Sequence, residues 1–237
     1  SMKALAVITA RGGSKRIPDK NIRPFCGRPI LTYSIEAAQN SGLFEEVMVS
    51  TDSKRIAGIA EAAHASVPFL RSEKNSDDHA TTAQVLLEVL EEYEQRGRRF
   101  DAVCCLYPTA PFVTPDKLRA AFRVMEENRV DAVVPIVRFS FPPQRGLLLQ
   151  DGAIRYQYPE YENARSQDLQ AVYHDCGQFY WCRVAPLRKY KSLIVPNTAG
   201  FVVSEEEVQD IDNLSDWRIA EMKFRCMKEG IANHATV

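Results

Sequence analysis

The sequence predicts an α/β fold, a mostly parallel sheet with helices on both faces. Short apolar runs alternate with amphipathic segments of helical period from the start of the chain to about residue 137, a pattern typical of repeated β–loop–α units. Beyond residue 137 the pattern changes to an aromatic and proline-rich segment. We therefore expect a single domain over 2–237 with an arm inserted at about 139–171.

The composition and the net charge limit the kinds of molecule and the compartment expected for this protein. The 30 Lys and Arg residues balance 31 Asp and Glu residues to a net charge of -1, so a general nucleic-acid surface is not expected. No apolar stretch is long enough to span a bilayer, and no signal peptide is expected before the first strand. None of the 6 cysteines forms a Cys-x-x-Cys pair, which favours reduced thiols and a cytoplasmic protein.

The first half of the chain is bounded by clear helix signals. Pro29 and the sequence Asn40-Ser41-Gly42 mark the two ends of the first helix, and Ser53 is the expected cap of the second. In the third, apolar residues recur at helical spacing from Val85 to Tyr93. The predicted elements are strands at 3–9, 46–50 and 67–70, and helices at 30–39, 53–64 and 83–95.

The second half continues this alternation and then leaves it. Cys104 and Cys105 lie in an apolar run that reads as a buried strand, and Thr114 followed by Pro115 predicts a helix start. The turn Gln150-Asp151-Gly152 between two apolar segments indicates a hairpin. The predicted elements are strands at 102–106, 131–137 and 177–183, a hairpin at 147–158, extended pieces at 194–203, and helices at 114–127 and 213–228.

The loop after the first strand is the strongest functional signal. Gly12 and Gly13 allow phosphate oxygens to approach backbone N–H groups, and cations surround them. In α/β folds such loops, at the carboxyl ends of strands, hold ligands. Because Ser14 precedes Lys15, the loop is not a Walker A motif, nor is it Gly-x-Gly-x-x-Gly. Its alternative interpretation is a solvated basic turn. The cations are Arg11, Lys15, Arg16 and Lys20.

Asp210 and Asp212 alternate along an extended segment near the C-terminus. Their carboxylates are therefore expected on one side, a pattern suited to Mg²⁺. The alternative is that Asp212 caps the terminal helix, and both roles are compatible.

Other polar groups follow strands or crowd the region after the arm. Asp52 either contributes to a site or caps the next helix. Arg165 can fork onto a carboxylate. A dyad of His174 with Asp175 is disfavoured because neighbours in an extended segment face opposite ways. Cys176 is the one cysteine to examine for chemistry.

Four motifs occur in the order found in one family. They are ARGGSKRIPDKN at 10–21, VSTD at 49–52, LYPTAP at 106–111 and DID at 210–212. With these, nearly the whole chain resembles the acylneuraminate cytidylyltransferases, the CMP-sialic acid synthetases. The segments SFPPQR at 140–145 and RSQDL at 165–169, with YHDCGQFYW at 173–181, resemble the branch that uses pseudaminic acid.

The resemblance implies a three-layer, Rossmann-like nucleotidyltransferase sheet with a dimerisation arm. It implies transfer of CMP from CTP to the anomeric hydroxyl of a nine-carbon 2-keto sugar acid, releasing pyrophosphate, with Mg²⁺ as cofactor, for surface glycan or glycoprotein synthesis. It also implies a homodimer in which the arm completes the partner's site.

The resemblance also implies roles for individual residues, although it identifies no general base. The implied CTP-binding residues are Arg11, Gly12, Gly13, Ser14, Lys15, Asn21, Arg71, Asp78 and Thr109, with Arg71 and Asp78 in the nucleoside-side loop. The implied catalytic residues are Arg11, Lys15, Lys20 and Asp212. The implied sugar contacts are Tyr107, Arg165, His174 and Gln178, and the implied metal ligands are Asp210 and Asp212.

Two departures from the motifs of the neuraminate branch bear on the substrate, and two rival functions bear on the reaction. The neuraminate branch has Gln at the position of Tyr107 and Arg-Pro-Asn-Gly at 174–177, which argues against N-acetylneuraminate as substrate; CMP-legionaminate synthesis stays an alternative. A glycosyltransferase of similar fold would carry its Asp-x-Asp mid-chain rather than at 210–212. A catalytically silent nucleotide sensor would have no need of that pair.

Overall fold

A seven-stranded sheet between two layers of helices organises the part of the chain that the computed structural model describes, residues 1–78 and 80–235, with side chains through residue 230. The strands are β1 (Ala4–Thr9), β2 (Pro24–Phe25), β3 (Arg28–Pro29), β4 (Glu46–Ser50), β5 (Ala102–Leu106), β6 (Ala132–Arg138), β7 (Leu147–Gln150), β8 (Ala153–Tyr156), β9 (Tyr173–Asp175), β10 (Phe179–Arg183) and β11 (Thr198–Val202). The helices are α1 (Leu31–Ser41), α2 (Lys54–Ala62), α3 (Thr82–Gln95), α4 (Pro115–Glu127), α5 (Val184–Tyr190) and α6 (Leu214–Ala235).

The strand order is β11-β6-β10-β5-β1-β4, with β9 also paired to β6. The pairs β1–β4, β1–β5 and β6–β11 are parallel, whereas β10 runs antiparallel between β5 and β6. The predicted α/β fold is confirmed, and the direction of β10 is an addition to it. All five strands other than β9 and β10 therefore end at the same edge of the sheet, and the candidate site lies there.

Each central strand is buried on both faces, which explains its continuous apolar sequence. In β1, Ala4, Ala6 and Ile8 pack in one cluster with residues of α1, α2 and α4. Leu5 and Val7 pack in a second cluster with residues of α3 and α5. The period of two along the strand thus defines the two helical layers.

Two local predictions are wrong, and two short elements were not predicted. Residues 67–70 form no strand, and only the preceding Ser66 bridges to Met48, because Pro68 has no N–H to donate to a ladder. Pro29 does not open α1; it pairs with Pro24 in a short ribbon, and the helix begins at Leu31. The short elements α5 and β9 had no sequence signal long enough to predict them.

The arm leaves the sheet between β6 and β9. Its base is closed by Phe139 N, which donates to Val172 O at 2.9 Å. The predicted hairpin is confirmed as β7 and β8, joined by Asp151 and Gly152 with φ values of 51° and 82°, as a type I′ turn requires. Its side chains point away from the body: Leu149 is 74% exposed and Ile154, directly opposite, is 66% exposed.

The structure also bears on the expected state of the cysteines and on membrane-spanning helices. All six cysteines are free, and Cys104 and Cys105 are buried as predicted. Within the described residues, no helix combines the length and the apolar character needed to cross a membrane.

Candidate functional site

A cavity of about 710 Å³ opens at the carboxyl edge of the sheet, beside the ends of β1 and β5. Ligand cavities in α/β folds occupy this position. Among the described residues, five cations and three carboxylates line it, so it suits a polyanion. These are Arg11, Lys15, Arg16, Lys20 and Arg71, with Asp77, Asp78 and Asp212. The lining also includes the predicted residues Gly13, Ser14, Asn21, Tyr107 and Thr109.

The loop after β1 is held by contacts from two sides. Gly12 N donates to Asp52 Oδ1 at 2.8 Å, and Asn21 Nδ2 donates to Arg11 O at 2.9 Å. A Cβ added at Gly12 would lie 3.2 Å from Ser53 Cβ, so the loop passes close to the start of α2. Gly12 therefore supports the loop from behind, whereas Gly13 faces the cavity.

The polar residues Asp52 and Ser53, which follow β4, have different roles. The Ser53 side chain accepts from Ile56 N and caps α2, as predicted. Asp52, left open between a cap and a site residue, instead fixes the loop through Gly12.

The carboxylate of Asp78 contacts two cations of the loop after β1. It forms ion pairs with Arg11 and with Lys15, where Lys15 Nζ lies 2.9 Å from Asp78 Oδ2. Hydrogen bonds from Lys15 and then Arg11 lower the pKa of Asp78 to about 2. A carboxylate thus pairs with the two cations that the sequence assigns to phosphate binding, and the nucleoside-side role implied for Asp78 stays a prediction.

Arg71 is held against the end of β4. Its Nη2 donates to Ser50 O at 2.8 Å and its Nε donates to Ser50 Oγ at 3.1 Å. Burial lowers the pKa of this guanidinium, with Asp52 and Glu88 opposing. Arg71 is therefore an ordered part of the cavity wall.

The segment Asp210–Ile211–Asp212 presents two carboxylates because its central residue is buried. Ile211 is 2% exposed and packs in the cluster that contains Trp217 of α6. Asn213, not Asp212, caps α6, since its Oδ1 accepts from Asp216 N at 2.8 Å. The capping alternative for Asp212 is thus excluded, and its carboxylate lines the large cavity.

The two carboxylates lie close enough to affect each other. Burial, and next the negative charge of Asp212, raise the pKa of Asp210. Two like charges held together fit a hard cation with oxygen ligands. No group of three or more His, Cys, Asp or Glu side chains in the described part of the chain is arranged to hold a metal. An ion here would take its other ligands from phosphate oxygens and water.

A second cavity, of about 430 Å³, adjoins the base of the arm and is lined by Asp210, His174 and Arg138. His174 Nδ1 donates to Asp175 O at 3.0 Å, and its ring lies 4.8 Å from that of Phe139. The Asp175 carboxylate turns elsewhere, to Gly177 N and Tyr180 Oη at 2.7 and 2.5 Å. The side chains of His174 and Asp175 therefore have different partners and form no acid–base dyad, as the sequence predicts.

Two predicted sugar contacts, Gln178 and Arg165, line neither cavity, whereas Cys176 lines the second. Gln178 is 3% exposed and its Nε2 donates to Glu207 O at 2.7 Å. Arg165 is exposed on the arm and pairs with Asp168 at 2.9 Å. Burial raises the pKa of Cys176 to about 12, which keeps the thiol protonated and argues against a nucleophile.

Sequence reasoning missed Arg138. It ends β6 and lines the second cavity together with His174 and Asp210. Its position at the carboxyl end of a strand was the available signal.

Known proteins resemble this chain along its length. A family model described as cytidylyltransferase matches residues 5–180. A pseudaminic acid cytidylyltransferase of Campylobacter jejuni is 37% identical over 96% of this chain and 99% of that protein. A CMP-N,N'-diacetyllegionaminic acid synthase of Legionella pneumophila is 33% identical over 97% of this chain and 100% of that protein.

A solved structure has the same fold. The CMP:2-keto-3-deoxy-manno-octonic acid synthetase complexed with CTP aligns with a TM-score of 0.66 at 19% identity, covering 99% of each chain. Together with the length of the family match, this leads to one assignment. The chain belongs to the cytidylyltransferase family of nucleotidyltransferases, within the acylneuraminate group that its motifs indicated.

Proposed function

We propose that this enzyme transfers CMP from CTP to the anomeric hydroxyl of pseudaminic acid and releases pyrophosphate. The observation that carries the proposal is the position of the carboxylate pair. Asp212 lines the cation-rich cavity and Asp210 lines the neighbouring cavity with His174. A reaction that joins a nucleotide to a second substrate needs such a boundary, because both reacting groups must meet there.

In this proposal the loop after β1 holds the triphosphate. Lys15 and Arg11 neutralise the β- and γ-phosphates, and Gly13 and Ser14 line the same cavity. Asp78 releases both cations when the phosphates arrive, because a polyanion competes for the same donors. Arg71 and Thr109 complete the nucleotide wall.

Asp210 and Asp212 would hold Mg²⁺, whose charge, when bound, polarises the α-phosphate and stabilises the leaving pyrophosphate. The anomeric oxygen of the sugar attacks the α-phosphorus in line, and the bond to the β-phosphate oxygen breaks. The attacking hydroxyl gives its proton to solvent water in this step, and the leaving pyrophosphate oxygen keeps the electron pair of the broken bond. Lys15 and Arg11 then neutralise the charge that develops on pyrophosphate.

The choice of sugar rests on the second cavity and on the relatives. The Campylobacter jejuni relative is named for pseudaminic acid. His174 directs Nδ1 to a backbone carbonyl, which leaves Nε2 available for a sugar hydroxyl. Legionaminic acid stays the alternative because the Legionella pneumophila relative is named for it.

We further propose a homodimer that works in the cytoplasm. The exposed hairpin pair Leu149 and Ile154 is an apolar surface of the kind that interfaces cover. Arg165 lies on the same arm and lines neither cavity of its own chain, so we propose that it reaches the partner's sugar site and meets the substrate carboxylate. The six free cysteines fit a reducing compartment.

One panel tests this function. CTP and the other nucleoside triphosphates are each combined with pseudaminic, legionaminic and N-acetylneuraminic acids, and pyrophosphate release is measured. We expect release only with CTP, highest with pseudaminic acid. Equal release without any sugar acid, or transfer from CMP-sugar to an acceptor with no use of CTP, would contradict the proposal.

A further inference from the structure

A buried lysine on α4 contacts the segment that carries the proposed metal ligands. Lys117 Nζ donates to Phe112 O at 2.9 Å and lies 3.2 Å from Glu207 Oε2. Its side chain is only 13% exposed. Lys117 lies on the first turn of α4, 90 positions along the chain from Glu207, so this ion pair joins two distant parts of the sequence.

A second contact reaches the same residue from the sheet. Gln178, just before β10, donates from Nε2 to the backbone oxygen of Glu207 at 2.7 Å. Its own backbone oxygen accepts from Tyr107 N at 2.9 Å, which ties Gln178 to the end of β5. Glu207 is therefore held through its side chain by α4 and through its backbone by the sheet.

The chain before Asp210 and the chain after it are fixed by different contacts. Before it, Val208 O accepts from Lys223 Nζ at 2.8 Å. After it, Ile211 is buried in the cluster with Trp217. Asp210 thus lies three residues beyond Glu207, in a short stretch anchored at both ends. Movement at Glu207 would move its carboxylate.

From these contacts we propose that Lys117, together with Glu207 and Gln178, is a positioning group that fixes the Asp210 segment and so sets the affinity for the divalent cation. The inference rests on the proposed function for the metal. A largely buried ammonium paired to one carboxylate has an orienting effect, because the Lys117 charge would lose its compensation if Glu207 moved away. Within the described part of the chain, the hydrogen bond and ion pair of Lys117 go to Phe112 and Glu207 and not to the loop after β1 or to His174.

The test compares Lys117→Met, Lys117→Arg and Glu207→Gln with the exposed control Lys54→Met on α2. The first readout is hydrogen–deuterium exchange of metal-free enzyme across residues 204–212. The second is the affinity for Mn²⁺, measured by the electron paramagnetic resonance signal of the free ion. A third is the affinity for pyrophosphate without metal, which reports on the loop after β1.

We expect Lys117→Met and Glu207→Gln to speed exchange at 204–212 and to weaken Mn²⁺ binding by about tenfold each, the size of effect of losing a hydrogen-bonded charged partner. Lys117→Arg should restore both readouts in large part. Pyrophosphate affinity and exchange in α4 should stay within about twofold of the unaltered protein. The Lys117→Met/Glu207→Gln pair should be no worse than either change alone.

Unchanged exchange at 204–212 in both single variants would overturn the proposal. Exchange that rises equally across α4 and the sheet would also overturn it, since the pair would then act on overall stability. If Lys117→Met does not fold, Glu207→Gln decides alone, because it keeps the backbone oxygen that Gln178 contacts. An Asp212→Asn variant with unchanged Mn²⁺ affinity would instead contradict the metal assignment, while the exchange data would still judge the positioning group.

Discussion

The loop after β1 and the arm at 139–171 differ in how much of their surroundings one chain supplies. The loop is bonded to Asp52, Asn21 and Asp78, and faces a cavity lined by its own chain. The arm carries a hairpin whose apolar side chains are exposed, and its Arg165 pairs with Asp168, a neighbour on the arm. Under the proposed function, the nucleotide half is complete in one chain and the sugar half needs a second.

The largest effect should come from the boundary between the two halves. Asp212→Asn removes a charge from the proposed metal pair, so kcat should fall by about 10²- to 10³-fold, typical of losing one stabiliser of transition-state charge. Steady-state pyrophosphate release at saturating Mg²⁺ measures it. Asp116→Asn, on the exposed face of α4 and outside both cavities, is the matched control. Wild-type turnover in Asp212→Asn would contradict the proposal that the Asp210 and Asp212 pair holds the metal where the two substrates meet.

A change in the loop should affect one substrate only. Lys15→Ala removes a cation from the proposed triphosphate site and should raise KM for CTP roughly tenfold, with KM for the sugar acid unchanged. Initial rates at varied CTP and varied sugar, with Lys54→Ala as control, separate the two constants. A rise confined to the sugar constant would reverse the assignment of the halves.

A change in the hairpin should affect the other half. Leu149→Asp with Ile154→Asp places two like charges opposite each other on the proposed interface, so the dimer should dissociate to monomers. Light scattering after size exclusion measures the mass, and the sugar KM should rise about tenfold as Arg165 is lost from the partner site. An unchanged mass would show that the hairpin surface is not the interface.

The smallest effect is expected at Asp78. Asp78→Asn frees Arg11 and Lys15 from a competing carboxylate, so KM for CTP should fall about two- to fivefold, as for an exposed ion pair. The pKa of Asp78 lies near 2, below its ordinary value, so its ion pairs persist at all pH values above about 4 and weaken only as the pH falls toward 2. A higher KM measured at pH 7 would mean that Asp78 orders the loop rather than competing.

The parts of the site that sequence reasoning predicted are local. The loop after β1 and the pair at 210–212 each depend on a few adjacent residues, and the burial of Ile211 follows from simple alternation. Contacts between distant residues were out of reach. Asp78 meets Lys15 across 63 positions of the chain, and no short-range pattern encodes that approach.

The fold shows the same division. Strands such as β4 and β5 match their predicted bounds, because an apolar run between turn residues is a local signal. The antiparallel direction of β10 was not predictable, since a strand buried on both faces has the same composition in either direction. Sequence reasoning assigned Gln178 to the sugar site. Its side chain is buried against the backbone of Glu207, a contact between distant residues that no local pattern predicts.

The most direct test of the central claim mixes two impaired enzymes at a sugar acid concentration well below KM. Asp212→Asn and Arg165→Ala are mixed, exchanged and assayed for CMP transfer. If Arg165 serves the partner's site, each mixed dimer has one site with both residues intact, and about a quarter of wild-type activity should return. No recovery, despite mixed dimers seen by mass, would place both residues in the same chain's site and contradict the account.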